Sequence, residues 1–69
     1  MKELEVSSRI IRSVYYSQED GGLRICFKNG EERLFTGVTE EAATALVDAP
    51  SPGQHYIDYI RHQFKRVAY

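Results

Sequence analysis

Leu23, Ile25 and Phe27 alternate with Arg24, Cys26 and Lys28, and a period of two predicts a β-strand with one apolar face. Asn29-Gly30 follows and suits a hairpin, either as a tight type I′ turn or as a three-residue loop closed by a bulge at Gly30. The returning strand is predicted over residues 31–36. The two loops place different residues opposite Phe27, so either Arg33 and Phe35 or Leu34 share the Ile25 face. Upstream, Ile10, Ile11, Val14, Tyr15 and Tyr16 predict a strand over residues 9–16 from their β-branched and aromatic side chains. Its alternation is broken, as a bulge or burial on both faces would require. Residues 17–22 are polar and end in Gly21-Gly22, a turn signal.

After residue 38 the period changes. Thr39 precedes Glu40 and Glu41 and reads as a helix N-cap with two carboxylates in the first turn. The helix should end near Asp48 and turn Ala42, Leu46 and Ala49 inward. Ser51, Pro52 and Gln54 combine a capping serine, proline at the first helical position and a capping-box glutamine. In the second helix Tyr56, Ile57, Ile60 and Phe64 form the apolar side, opposite His55, Asp58, Arg61, His62 and Lys65. With no long crossover between the strands, the expected fold is α+β: a three-stranded antiparallel β meander followed by two α-helices packed on one face.

A length of 69 residues supports a single domain over residues 1–69. The 42% hydrophobic and 28% charged shares fit a folding chain rather than a disordered one. A net charge of −1 excludes a whole-chain basic field, so any nucleic-acid binding must be local. The opening MKELEVSSRII resembles neither a signal peptide nor a membrane span. Together with the lone Cys26, this gives a cytoplasmic expectation without membrane association.

Several landmarks then fall in a familiar order: VSSRII, Val14 and Tyr16, LRICFKNG, Val38, Leu46, Ala49-Pro50-Ser51-Pro52-Gly53, Tyr56 and Ile60-Arg61. In this order the chain resembles the KTSC domain, a module named for its place at the C-terminus of some lysyl-tRNA synthetases and also found as stand-alone bacterial proteins. The resemblance fits a small bacterial or phage protein and implies RNA as a ligand, through the synthetase context. The family's Y-x-Y of the third strand falls on Arg33 and Phe35, so one ring of the pair is replaced, and the opening strand carries one residue more than the family pattern.

The residue set with most chemical promise is cationic. Arg61, Lys65 and Arg66 at the end of the second helix, joined by Arg33, Arg24 and Lys28 of the hairpin, can hold phosphates while Phe35 or Tyr59 stacks on an unpaired base, at roughly 1 to 3 kcal/mol per base. The competing reading is that these cations serve a helix dipole or a solvated strand face. The expected nucleic-acid site is therefore Arg33, Phe35, Tyr59, Arg61, Lys65 and Arg66. No catalytic residue, cofactor or metal is expected. His55 and His62 stand about 10 Å apart along a helix, too far for one ion, and Asp58 is expected to pair with Arg61 or His62. Cys26 lacks a neighbouring base, and no nucleophile elbow or phosphate-binding glycine loop is present. The tyrosines offer a second class of function, a protein-interaction module or homodimer with an aromatic interface.

Overall fold

The computed structural model describes residues 1–67. Five strands, β1 (Lys2–Leu4), β2 (Ile11–Ser17), β3 (Gly22–Phe27), β4 (Glu32–Thr36) and β5 (Lys65–Val67), form one antiparallel sheet in chain order. Helix α1 spans Glu40–Asp48, and α2 spans Pro52–His55 and continues as a π-helical turn over Tyr56–Ile60. The predicted meander is its centre, but the sheet has five strands rather than three. β1 and β5 are the edges, and three residues are too few to show a period in sequence.

The hairpin uses the three-residue loop. The Phe27 amide donates to the Glu31 carbonyl and the Gly30 amide to the Phe27 carbonyl, with Gly30 at φ 94°. No described residue other than glycine has positive φ, so Asn29 does not enter a type I′ turn. Pairing of Ile25 with Arg33 and of Leu23 with Phe35 puts Arg33 and Phe35, not Leu34, on the Ile25 face. The irregular first strand contains a register shift between Ile11 and Ser13, a bulge that absorbs the additional residue and lets both Ile11 and Val14 face the core. At the β2–β3 turn Gly21 has φ 68°, and its carbonyl accepts from the Val38 amide; a Cβ there would stand 2.9 Å from that nitrogen.

The core lies between the sheet and the helices. Val14, Leu23, Ile25, Phe35, Leu46 and Ile60 are fully buried. Tyr16 joins them with its hydroxyl donating to the Val38 carbonyl at 2.6 Å. Burial, followed by the charges of Glu40 and Glu41, raises its pKa, so the phenol stays protonated and able to donate. Thr39 caps α1 as expected, accepting from the Ala42 amide at 3.2 Å. Ala43 is buried beside Leu46, and Ala42 packs half-buried against the same core as expected. Pro52 begins α2, but Ser51 makes no side-chain cap, and Gln54 bonds Asp58 instead of closing a capping box.

Candidate nucleic-acid interface

Beneath the β3–β4 loop lies an open cavity of about 840 Å³. Its charge comes from five separate segments: Arg9 before β2, Lys28 in the loop, Arg33 on β4, Arg61 after the π turn and Arg66 on β5. The pairing of Phe35 with Arg66 puts Arg66 on the same sheet face as Arg33. Glu31 is the one carboxylate among the described residues that line the cavity. A local excess of cations thus coexists with a chain net charge of −1.

Two of these side chains are fixed by their neighbours. Arg33 Nη2 donates to Glu31 Oε1 at 2.8 Å and Nη1 to the Glu32 carbonyl at 2.8 Å. The loop holds Glu31 from the other side: Asn29 Nδ2 donates to Glu31 Oε2 at 2.8 Å, and the Glu31 amide donates to Asn29 Oδ1 at 3.0 Å. The hydrogen bond from Arg33, then that from Asn29, holds the Glu31 carboxyl below its ordinary range, and Glu31 in turn strengthens the guanidinium's hold on its proton. Both groups are charged at neutral pH.

The six expected site residues separate in space. Arg33, Arg61 and Arg66 come together on the cavity. Phe35 touches it, but its ring is only 1% exposed and packs edge-on against Tyr56 at 6.0 Å, so it anchors the core and has no face for a base. Tyr59 is 53% exposed and lies 4.9 Å from the His55 ring, away from the lining residues. Lys65 pairs with Thr36 on the opposite sheet face to Arg66. Lys65 and Arg66 belong to a strand, not to the end of a helix, because the helical segment stops at Ile60 and the chain turns back along β4. Arg24 also faces away and sits 3.7 Å from Glu32. The rings bordering the cavity are instead Phe27, half-buried, and Tyr56, which meets Phe27 edge-on at 5.2 Å.

Arg9 carries no local sequence signal for this site, because a long-range contact brings it there. Pairing of Ile11 with Phe27, and the bond from the Lys28 amide to the Ile10 carbonyl at 2.8 Å, set the pre-strand loop beside the hairpin turn. On the outer helical side, Asp58 accepts from Gln54 Nε2 at 3.0 Å rather than pairing with Arg61 or His62, while Arg61 and His62 approach each other at 3.3 Å. Among the described residues no cluster of three or more metal-ligating side chains occurs, and no helix is long and apolar enough to cross a membrane.

The family model of the KTSC domain matches residues 7–64. The chain belongs to the KTSC domain family. The crystal structure of a KTSC domain protein from Yersinia pestis is similar to it, with 26% sequence identity, a TM-score of 0.86, and coverage of 99% of this chain and 96% of that one. No curated protein matches the chain significantly. Two of the motifs that carried the resemblance meet in space in this KTSC domain. A Cβ at Gly53 would lie 2.6 Å from Ile10 Cδ1, and Ser8 Oγ accepts from the Ile10 and Ile11 amides. The opening VSSRII is thereby seated against the start of α2, which holds Arg9 at the cavity rim.

Gly53→Ala should therefore cost the KTSC domain about 1 kcal/mol or less, since the obstructing atoms belong to the 46% exposed Ile10 side chain, which can turn aside at the cost of a poorer rotamer. Ile10→Ala removes the obstructing atoms, and in that background Gly53→Ala should be neutral or stabilising by up to about 1 kcal/mol, since alanine is the better helix former. A double-mutant cycle from urea denaturation measures the coupling. Equal costs in both backgrounds would contradict the close packing.

Proposed function

We propose that this KTSC domain is a noncatalytic module that binds single-stranded nucleic acid, with RNA placed first by the family's occurrence in lysyl-tRNA synthetases. The observation that carries the reading is the convergence of Arg9, Lys28, Arg33, Arg61 and Arg66 on one cavity. Cations with few competing carboxylates attract phosphates, and the gain is greatest where they act on the same group. The volume falls within the roughly 300–1,000 Å³ range of small-ligand sites, enough for a nucleotide. Phe27, half-buried, offers a partly open ring beside the cations, with the largely buried Tyr56 behind it, so a base can lie against that wall while its phosphate meets the guanidinium groups.

The test is an amide chemical-shift titration of the labelled chain with a short single-stranded RNA at low and high salt. Shifts should concentrate at residues 9–10, 28–33, 61 and 66, and affinity should fall steeply with salt as counterions are released. Shifts that depend on protein concentration without RNA would instead indicate self-association. A flat response to RNA would refute the reading.

A further inference from the structure

Glu31 occupies the position that a ligand anion would take. Its carboxylate stands 2.8 Å from Arg33 Nη2 and is held by Asn29 independently of Arg33, so the hairpin loop presents a built-in anion to the cavity. A ligand that engages Arg33 must displace or outweigh it. An internal phosphodiester brings one negative charge, the same as the carboxylate, and exchange between them gains no charge. A phosphate monoester carries about −1.5 to −2 at neutral pH and offers three terminal oxygens. Cations reaching one cavity from five chain segments also suit a group that can be approached from several sides better than one flanked by two sugars.

Resting on the nucleic-acid reading, we propose that the cavity selects a phosphate monoester, the phosphorylated end of a single strand, over internal phosphodiesters, and that Glu31 lowers the affinity for every phosphate by competing for Arg33. Removing the carboxylate charge should strengthen binding of both classes, and of the monoester at least as much as of the diester, because the cost of displacing Glu31 is common to both and its repulsion is larger for the greater charge.

The experiment measures Kd for the full chain and for Glu31→Gln with three short RNAs of one sequence: 5′-phosphorylated, 3′-phosphorylated, and hydroxyl at both ends. In the unsubstituted protein one phosphorylated RNA should bind about tenfold tighter than the hydroxyl-ended one, as expected for an additional charge-assisted contact, and the preferred arm identifies the end. Displacement of that RNA by a nucleoside monophosphate at equal affinity would support the same chemistry and assign the site to free nucleotides. In Glu31→Gln all three should bind more tightly, with the preference for the phosphorylated RNA kept at about tenfold or more. Amide spectra check that the variant retains the fold. Equal Kd for all three RNAs in the unsubstituted protein would overturn the end selection while leaving nucleic-acid binding intact. Unchanged Kd for all three RNAs in Glu31→Gln would overturn the role of Glu31, and no binding to any arm would overturn both proposals.

Discussion

Replacing Phe35 by alanine is expected to leave most of the chain unfolded at room temperature. Its ring is 1% exposed and packs edge-on against Tyr56 with centroids 6.0 Å apart. Truncating a buried phenylalanine costs about 3 to 5 kcal/mol, and a core in a domain this small supplies only about 3 to 5 kcal/mol in total. Circular dichroism with urea denaturation measures the effect, and a cooperative transition near the parental midpoint would contradict it. Phe35→Leu restores most of the buried volume without a π face. It should fold and bind RNA as the parent does, which distinguishes a core anchor from a stacking platform.

The second large effect concerns binding. Exchanging Arg33, Arg61 and Arg66 together for glutamine should reduce affinity for single-stranded RNA about 100-fold or more at low salt, since hydrogen bonds to charged groups contribute about 1.5 to 3 kcal/mol each and do not add fully. The fold should survive. Arg61 and Arg66 are exposed, the Arg33–Glu31 pair is partly solvated, and surface ion pairs contribute about 0 to 1 kcal/mol. Exchanging Arg24 and Lys65, on the opposite sheet face, is the control and should change affinity by less than about threefold.

The central part of the fold was legible because its signals are local. Alternation at Leu23, Ile25 and Phe27, the glycine at position 30, the Thr39 cap and Pro52 each act within a few residues, and each forms the element it announces. The two edge strands were not legible. Lys2–Leu4 and Lys65–Val67 contain one half-buried residue each, and they exist because β2 and β4 offer backbone groups to pair with. Nothing between residues 61 and 66 breaks a helix by composition, so the sequence reads helical there while tertiary pairing draws the chain into the sheet.

The candidate site divides along the same line. Arg33 and Arg61 could be selected as cations, but their meeting with Arg9 depends on the contact between the pre-strand loop and the hairpin turn, which joins residues far apart in sequence. Phe35 has the composition of a stacking residue, and only register and helix placement show that its ring is enclosed.

The most direct test of a shared phosphate-binding cavity is the dependence of RNA affinity on salt, compared between the parent and the triple arginine variant. Each phosphate neutralised on a single strand contributes a slope of about −0.7 in log K against log salt. If the three arginines act on phosphates, the variant's slope should be shallower by about 2. Parallel lines with equal affinity would contradict the account.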